Sequence, residues 1–335
     1  MVGSIRDVAR EAGLSVATVS RVINGSSPVR PATKERVMAA CKQLDYVPNP
    51  AARTLSTRRS RTVAAIIPTI EHSVFAKYVT AVERALSEKN YALVLAISNA
   101  DSDEELTAAE QLLGMGAEAF ILSGFDHSAE LLDLLKRRSV PHVFTSVWEH
   151  RGARPVIGYD NSELAFRAVS YLKKRGHRKI AAVHGPLFES DRTRARRLGA
   201  ENANNGALDI DFFEMDLSVE GGKDAVTAIL SASKNYSAAL CFSDVLALGV
   251  YFALSERGIN VPQDMSVMGF DNLDWSAHVV PPLTTINLPA EEMGRKVVEQ
   301  LVNVLEESEA IVPTKLSANI IERQSVADIG TGKED

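Results

Sequence analysis

From residue 61 onward, short apolar runs alternate with longer amphipathic stretches, and this alternation limits the folds that the chain can adopt. Seven runs rich in branched or aromatic residues recur: TVAAIIP, YALVLAI, AEAFILS, PHVFTSV, KIAAVHG, AALCFSD and MSVMGFD. Helical stretches such as FAKYVTAVERALSEKN and DVLALGVYFALSERG separate them. Apolar strands that alternate with helices indicate parallel sheets covered on both faces. Because these strands are too many for one compact unit, we expect an α/β core of two doubly wound parallel-sheet subdomains.

The first 48 residues follow a helical pattern instead. In IRDVAREAG the apolar residues repeat at i, i+3, i+4 and i+7, and in SVATVSRVING one apolar stripe contains Val19, Val22 and Ile23. Ser15 can cap the second helix, and Asn24 followed by glycine can end it. A turn of about three residues between the two helices has the length of a helix-turn-helix connection. A third helix at PATKERVMAACKQL closes a small core.

The second helix leaves a slim outer face, formed by the residues off its apolar stripe: Val16, Ala17, Thr18, Ser20 and Arg21. Such a face can enter the major groove of DNA. Charge favours this interpretation, because residues 1–60 carry ten Lys/Arg and four Asp/Glu whereas the remainder carries 27 and 39. A basic head on an acidic body confines contact with a polyanion to the head. The alternative is a plain three-helix bundle without a ligand.

The segment YVPNPAARTLSTRRS, residues 46–60, joins the head to the core. Its prolines end the third helix, and AARTLST can form a helix of about two turns, which is marginal by itself. Leu55 is the one large apolar residue of that helix, and three arginines surround it. An apolar side chain in this setting can be inserted between base steps from the minor groove, which kinks DNA. The alternative is a tether whose Leu55 packs on the core.

Polar side chains follow several predicted strands at their carboxyl ends, where folds of this class bind ligands. The candidates are Ser146 after HVFT, Asp160 after PVIGY, Ser243 after AALCF, Asp271 after MSVMGF, Arg196 in RTRARRLG and Phe75 in EHSVFAK. Carboxylates, an arginine and an aromatic face suit a polyhydroxylated or carboxylated small molecule. Structural alternatives exist as well, with Asp271 in a turn, Asp244 as a helix cap and Arg196 as a surface arginine.

No pattern of an enzyme active site stands out. GMGAEA lacks the third glycine of a dinucleotide fingerprint, GPLFESDR lacks the end of a P-loop, and HExxH and GxSxG are absent from the sequence. The seven histidines have no metal-ligand spacing, so we expect neither a metal nor a cofactor. Cys41 and Cys241 sit in apolar settings, as is typical of reduced thiols. Without an apolar run of membrane-spanning length or a signal peptide, we expect a cytoplasmic protein that is nucleoid-associated when bound to DNA.

Several segments are similar to the lactose-repressor (LacI/GalR) family: IRDVAREAGLSVATVSRVING, YVPNPAARTLSTRRSRTVAAIIP, RGHRKIAAVHGP, DVLALGV, VPQDMSVMGFDN and PPLTTINLP. They are spread over nearly the whole chain. The resemblance implies a bacterial transcription regulator whose head binds an operator as a dimer and whose hinge helix orders on DNA. It also implies a core that resembles periplasmic sugar-binding proteins and holds an effector between its subdomains. The expected fold is therefore an all-α helix-turn-helix head plus an α/β core.

Together with the residue patterns, the resemblance implies two sets of site residues. DNA contacts are expected from Ser4, Ser15, Val16, Ala17, Thr18, Ser20, Arg21, Asn24, Asn49, Ala52, Arg53 and Leu55, with Leu55 in the minor groove. Effector contacts are expected from Phe75, Ser146, Asp160, Arg196, Ser243 and Asp271. Arg196 matches the family's Arg-Leu-Ala-Gly segment, and Asp271 matches its Gly-Phe/Tyr-Asp segment.

The predicted domain organisation follows the same motifs. The four parts are a helix-turn-helix domain at 1–48, a hinge helix and linker at 49–60, an effector-binding and dimerisation core at 61–329, and a polar tail at 330–335. Within the core, the N-subdomain is expected at about 61–159 and 288–316, and the C-subdomain at about 160–287 and 317–329.

The sequence departs from the family pattern around the expected pocket. The usual Asn-Asp is Ser243-Asp244, the usual Asn-Pro-Phe-Phe is His72-Ser73-Val74-Phe75, and the usual glycine after Asp160-Asn161 is missing. These differences bear on which effector binds rather than on the fold. We predict a homodimeric, sequence-specific repressor of a palindromic operator with a deformable central step, controlled by a sugar or a sugar derivative. The rival from another class is a solute-binding protein of a transport system, which shares the core fold.

Overall fold

A computed structural model of the chain describes residues 4–24, 29–47, 54, 59–70, 73–149, 154–204 and 206–330. The chain divides into two compact units, with the division between Arg61 and Thr62. The first unit is helical and the second combines helices with two sheets.

Three short helices form the first unit: α1 (Ile5–Glu11), α2 (Val16–Asn24) and α3 (Pro31–Gln43). Their apolar stripes close on one small core, in which Val8, Val19 and Val37 are completely buried. The Arg36 guanidinium donates to the carbonyl of Ala12 at 2.5 Å and so ties α3 to the turn between the first two helices. The predicted helix-turn-helix head is confirmed.

Six strands form the first sheet of the core: β1 (Thr62–Ile67), β2 (Ala92–Ile97), β3 (Ala119–Ser123), β4 (His142–Thr145), β5 (Val156–Gly158) and β11 (Thr314–Lys315). They are parallel and lie in the order β11-β5-β4-β3-β1-β2. The helices associated with this sheet are α4 (Ser73–Glu88), α5 (Ser102–Gly114), α6 (Ala129–Arg137) and α11 (Ala290–Glu307).

Six strands also form the second sheet: β6 (Lys179–His184), β7 (Asp209–Glu214), β8 (Ala238–Cys241), β9 (Ser266–Asp271), β10 (Thr284–Asn287) and β12 (Asn319–Ile321). Their order is β12-β10-β9-β8-β6-β7. The helices associated with it are α7 (Asn161–Lys174), α8 (Asp191–Ala203), α9 (Val219–Ser231) and α10 (Asp244–Glu256). Edge strand β12 is antiparallel to β10, whereas the other strand pairs of this sheet are parallel.

The prediction of two doubly wound sheets is confirmed. In each sheet the first strand of the chain lies inside the sheet, between the second and the third: β1 lies between β2 and β3, and β6 lies between β7 and β8. The order therefore reverses between β1 and β3 in the first sheet and between β6 and β8 in the second. Folds of this kind bind ligands outside the carboxyl ends of the strands at such a reversal.

The chain passes from one sheet to the other three times, after β5, after β10 and after β11. The crossing segments are apolar and buried at Tyr159, Leu288 and Leu316, which are 4%, 5% and 6% exposed. The two halves of the core are therefore joined by three neighbouring pieces of backbone rather than by one linker.

Close helix contacts hold the elements beside the second sheet. A Cβ atom on Gly199 of α8 would lie 2.0 Å from the carbonyl oxygen of Ser162 on α7, so only glycine allows the two helices to approach this closely. This approach brings Arg196 of α8 beside Asn161 at the start of α7.

Candidate functional site

The outer face of α2 is mostly exposed, and its inner stripe packs on the core of the head, with Val19 buried and Val22 and Ile23 half-buried. Val16 is 41% exposed, and Ser15, Ala17 and Arg21 are also exposed, whereas Val19 is completely buried. The predicted stripe and its polar counterpart are therefore both present in the structure. The face offers methyl groups, hydroxyls and one guanidinium, and α2 contains no acidic residue.

Short-range hydrogen bonds organise this face. The Thr18 N–H donates to Ser15 Oγ at 3.2 Å, so Ser15 caps α2 as predicted, and the two hydroxyls lie 2.9 Å apart. At the other end of the helix, Asn24 Nδ2 donates to Ser20 Oγ at 3.1 Å. Such a face can offer donors, acceptors and apolar contacts to base edges without repelling phosphates.

The structure describes only some of the remaining residues that are predicted to contact DNA. Ser4 begins α1 in a capping box, in which its hydroxyl accepts the Asp7 N–H and the Asp7 carboxylate accepts the Ser4 N–H at 3.0 Å. Ser4 is exposed, so its backbone and hydroxyl lie at the surface of the head. The four linker positions, Asn49, Ala52, Arg53 and Leu55, lie outside the described residues.

A cavity of 390 Å³ lies between the carboxyl ends of the strands of the two sheets. Five of the six predicted effector residues line it: Phe75, Ser146, Arg196, Ser243 and Asp271. Four of them are almost fully buried, between 6% and 7% exposed. Topology explains why Ser146, Ser243 and Asp271 converge, since the polar residues that follow parallel strands meet at one edge of each sheet.

Arg196 is held in place by three contacts inside the protein. Its Nε donates to Asn161 Oδ1 at 3.0 Å, its Nη1 donates to the carbonyl of Phe242, and its guanidinium carbon lies 4.6 Å from the centre of the Phe270 ring. Because both bonds and the ring contact fix the plane of the guanidinium, Arg196 is not the loose surface arginine of the alternative interpretation.

Asp271 and Ser243 form a polar pair on the same wall. The Ser243 hydroxyl donates to Asp271 Oδ2 at 3.0 Å. Burial raises the pKa of Asp271 above the ordinary carboxyl value, while the Arg196 guanidinium and the Ser243 hydroxyl partly offset the rise. Asp271 has a φ of +111° and Ser146 has a φ of +67°, so two lining residues occupy backbone regions that side chains rarely adopt.

Asp244 anchors the wall rather than lining the cavity. Its carboxylate accepts hydrogen bonds from Leu273 N–H at 2.9 Å, Ser276 Oγ at 2.5 Å and Thr285 Oγ1 at 2.6 Å. The cap of α10 is instead Ser243, whose hydroxyl accepts the Val245 N–H at 3.2 Å. Burial, followed by the Asp271 charge, raises the pKa of Asp244.

Asp160, the sixth predicted effector residue, does not line this cavity. Its carboxylate caps α7 by accepting the Glu163 N–H at 3.0 Å, and it lies 3.6 Å from Lys315 Nζ. The inward position belongs to Asn161, which donates to the Ser146 carbonyl at 2.9 Å and accepts from Arg196. One residue at the start of a helix turns a side chain by about 100°, which is why the neighbour of Asp160 faces the interior.

Several lining residues were not selected from the sequence, although some carried a signal. Tyr78 lies one turn after Phe75 on α4, and Arg192 lies one turn before Arg196 on α8. Residues three or four apart share a helix face, so both could have been found from their neighbours. Asn99 and Tyr159 also line the cavity, after β2 and β5.

Two family models match the chain. Residues 4–49 match bacterial regulatory proteins of the lacI family, and residues 169–326 match the periplasmic binding protein-like domain. The HTH-type transcriptional regulator RegA of Clostridium acetobutylicum is 35% identical over 333 residues, covering 97% of this chain and 99% of that protein. The chain belongs to the lacI family of bacterial regulatory proteins.

Other lacI-family regulators are similarly related. Catabolite control protein A of Priestia megaterium is 32% identical over 295 residues, which cover 87% of this chain and 89% of the relative. The HTH-type transcriptional repressor PurR of Serratia proteamaculans is 32% identical over 334 residues, covering 97% of each. The chain is accordingly a DNA-binding transcriptional regulator and not an enzyme.

Solved structures of lacI-family proteins have the same fold. The Lac repressor dimer bound to operator and the anti-inducer ONPF superimposes with a TM-score of 0.86 at 26% identity, covering 98% of this chain and 100% of that one. The complex of the transcriptional regulator CelR with cellobiose has a TM-score of 0.70 at 30% identity, covering 96% and 99%. Within the described residues, no helix is long and apolar enough to cross a bilayer, and no group of three His, Cys, Asp or Glu side chains could hold a metal ion.

Proposed function

We propose that the chain is a cytoplasmic, homodimeric repressor whose affinity for a palindromic operator is controlled by a small molecule in the 390 Å³ cavity. The observation that carries the proposal is the wall formed by Arg196, Ser243 and Asp271, which is buried, polar and already ordered by internal hydrogen bonds. Phe75, from the other half of the core, lines the same space. A buried site with few, fixed polar groups is the kind that binds one small molecule selectively.

The chemistry of the wall favours a sugar or a sugar derivative. Neighbouring ring hydroxyls can donate to the Asp271 carboxylate and accept from the Arg196 guanidinium, since both groups bond two atoms at once. An aromatic side chain such as Phe75 suits the apolar face of a sugar ring. The cellobiose complex of CelR supports the carbohydrate class by analogy.

On the DNA side, α2 is proposed to lie in the major groove. Val16 and Ala17 offer apolar contacts such as those with thymine methyls, whereas the hydroxyls and Arg21 supply polar contacts to bases or phosphates. Ser4, Asn24, Asn49, Ala52 and Arg53 complete the proposed contact surface. Leu55 is proposed to enter the minor groove at a deformable central step, such as CG or CA/TG, where kinking costs least.

Each segment of the chain has its own proposed role. Residues 1–48 read DNA, 49–60 form the hinge and linker, 61–329 form the effector-binding and dimerisation core, and 330–335 form a polar tail. Within the core, the three crossings after β5, β10 and β11 support subdomain borders near residues 159, 288 and 316. An effector between the subdomains changes their angle and, through the hinge, the operator affinity.

A thermal-shift screen of sugars, sugar acids, sugar phosphates and nucleosides tests the proposal. A true effector at a hundredfold its dissociation constant stabilises the folded protein by about 2.7 kcal/mol. The hit is then added to gel shifts on an operator selected from random duplexes, where binding should weaken steeply as salt rises. A hit found among the nucleosides alone contradicts the carbohydrate class, and a hit that leaves operator affinity unchanged contradicts the regulatory role.

A further inference from the structure

Apart from the three crossings, the two halves of the core also meet where the start of α8 contacts the loop 124–128 between β3 and α6. The loop belongs to the half that contains the first sheet, and α8 belongs to the half that contains the second. Ser190 and Arg192, the neighbours of Asp191 in the chain, line the 390 Å³ cavity. This contact therefore lies at the rim of the candidate effector site.

Asp191 makes the central bond of this contact. Its Oδ2 accepts the N–H of Phe125 at 2.5 Å, and its side chain is only 14% exposed. The Arg192 guanidinium lies 3.1 Å from the other carboxylate oxygen. A bond from a backbone N–H to a carboxylate is roughly twice as strong as one between neutral groups, and at this low exposure water weakens it little.

Gly124 allows the two elements to approach this closely. It has a φ of +93°, and a Cβ atom on it would lie 2.6 Å from Arg192 Nη1 and 2.9 Å from both carboxylate oxygens of Asp191. A side chain at this position would therefore displace the ends of Asp191 and Arg192 from the loop.

The loop is also fixed within its own half of the core. His127 Nε2 lies 3.1 Å from the carbonyl oxygen of Gly124, and since a carbonyl only accepts, this nitrogen carries a hydrogen. His127 Nδ1 lies 2.7 Å from Glu105 Oε1 on α5, and the two side chains are buried. These bonds hold the backbone of the loop in position, so the Phe125 N–H is preorganised for Asp191.

Two further bridges between the halves are more open to water. The Arg194 guanidinium of α8 contacts the Asp126 carboxylate of the loop, and the two side chains are 41% and 61% exposed. Lys77 Nζ of α4 donates to the carbonyl of Asn272 at 3.2 Å and lies 2.7 Å from Asp274 Oδ1, whose side chain is 92% exposed. Ion pairs as exposed as these contribute little. The bond between Asp191 and Phe125 should therefore contribute most to holding the halves together at this rim.

We propose that Asp191 acts as a clasp, which holds the two halves of the core together beside the cavity and must release the Phe125 N–H before a molecule can enter or leave. All bonds of the clasp run between protein groups, so it forms without an effector. The clasp sets how often the cavity opens, which is a property separate from the affinity of the wall at Arg196 and Asp271. This inference goes beyond the proposed function, since it concerns access to the cavity for any molecule.

Labelling of a thiol inside the cavity tests the clasp in the full chain. Ser146→Cys places a thiol at a lining position that is 6% exposed, and mass spectrometry of peptides follows its reaction with iodoacetamide. Because the reagent reaches this position only when the cavity opens, labelling should be about tenfold faster when Asp191→Ala is added. An unchanged labelling rate would overturn the clasp.

The two native cysteines serve as internal references in the same experiment. Cys241 is completely buried in β8 and is labelled only when the core itself unfolds, whereas Cys41 is half-buried in the head. Neither rate should change in Asp191→Ala. If Cys241 is accelerated by the same factor as the introduced thiol, the substitution unfolds the core instead of opening it, which contradicts the clasp.

Further variants separate the bond from the charge of Asp191. Gly124→Ala displaces the same contact from the loop side without removing a charge, and it should also accelerate labelling of the introduced thiol. Asp126→Asn should change the rate by about twofold or less, since its ion pair is exposed.

Asp103→Ala is the matched control, because it removes an exposed acid from the first turn of α5 as Asp191→Ala removes one from the first turn of α8. The wild-type labelling rate is expected for it. Acceleration in Asp103→Ala, or none in Gly124→Ala, would assign the effect of Asp191→Ala to charge at a helix start and would contradict the clasp.

Discussion

The outer face of α2 and the wall of the 390 Å³ cavity are both polar, but they differ in how much of that polarity is used inside the protein. On α2, the side-chain hydrogen bonds join residues three or four apart within the helix and its cap. In the cavity, the bonds of Arg196 and Asn161 join α8 to α7, to β8 and to the end of β4. The first surface keeps its groups available to a partner, and the second is ordered before any ligand arrives.

Because of this difference, the two surfaces should differ in how much free energy each contact contributes to binding and in how much a substitution costs. An exposed arginine such as Arg21 loses side-chain freedom when it binds, which reduces the net gain from each contact. The side chains of the cavity wall are already ordered in the folded protein, so they lose little further freedom when a ligand binds. Removal of one of them, however, leaves its neighbours unpaired in a nonpolar interior. Substitutions in the cavity should therefore have larger effects on ligand affinity than those on α2 have on DNA affinity.

The largest effect is expected from Asp271→Asn, which keeps the shape and removes the charge. Effector affinity should fall about 100-fold, or about 2.7 kcal/mol, because ligand hydroxyls lose a charged acceptor in a buried site. Operator affinity without effector should be unchanged. Calorimetry and gel shifts measure the two quantities.

Asp160→Asn is the matched control for this substitution. It makes the same chemical change one strand end away, outside the lining, and asparagine is an equally good helix cap. Wild-type effector affinity is expected. If both variants lose affinity to the same extent, the cavity wall is not where the effector binds.

An intermediate effect is expected from Arg21→Ala on α2. Operator affinity should fall by about 1–3 kcal/mol, since a charged groove contact is lost, while effector affinity stays at the wild-type value. Arg21→Lys separates two roles: a phosphate contact tolerates lysine, whereas a bidentate base contact does not. Gel-shift titrations at fixed salt measure the operator affinity of both variants. Wild-type affinity in Arg21→Ala would show that Arg21 does not contact the operator.

The smallest effect is a dependence of effector affinity on pH. Burial raises the pKa of Asp271, so in the free protein part of the carboxyl stays protonated at a pH where an exposed aspartate is fully ionised. This raised pKa adds stability below the ordinary carboxyl range, and that stability is lost as the pH rises through the folded-state value. Ligand hydroxyls prefer the ionised acceptor, so affinity should increase with pH, by at most about tenfold per pH unit.

Calorimetry between about pH 4 and pH 8 measures this slope. The groups that act on Asp271 electrostatically are Arg196, Lys77 and Asp244, and Asp271→Asn removes the titration while leaving all three in place. A flat profile in this variant and a rising one in the wild type are expected. Equal slopes in both proteins would assign the pH dependence to another group.

The strands with continuous apolar runs could be predicted from the sequence, and most of them are buried on both faces. Strand β7, with the sequence DIDFFE, was not among the predicted strands because acidic residues interrupt its apolar run, whereas the equally half-buried edge strand β2 reads ALVLAI without interruption. Strand β10 reads TTIN; the Thr285 hydroxyl donates to Asp244 and the Thr284 hydroxyl accepts the Arg323 N–H, and no local pattern reveals these partners. Helix α11 was also not predicted, although its apolar residues recur at helical spacing from Met293 to Val302.

The residues of the candidate site also differ in how far the sequence predicts them. Ser146, Ser243 and Asp271 could be placed at the cavity because strand topology brings their backbone positions together, whereas Phe75 and Arg196 lie on helices. Which side chain of a neighbouring pair faces inward depends on the local helix start, so Asn161 rather than Asp160 points to Arg196. The contact between Glu105 Oε1 and His127 Nδ1 had no signal in any one segment, since the two residues are 22 positions apart and meet only in the folded core.

The three crossings between the sheets limit how the halves of the core can move. Two bodies joined by one flexible strand can swing, twist and slide, whereas three neighbouring strands restrict sliding and favour bending about the crossings. Two of the crossing residues, Tyr159 and Leu288, also line the 390 Å³ cavity. A molecule bound in this cavity therefore contacts the crossing segments themselves. Any change of angle that it causes is therefore expected to be a rotation of the two halves of the core about these crossings.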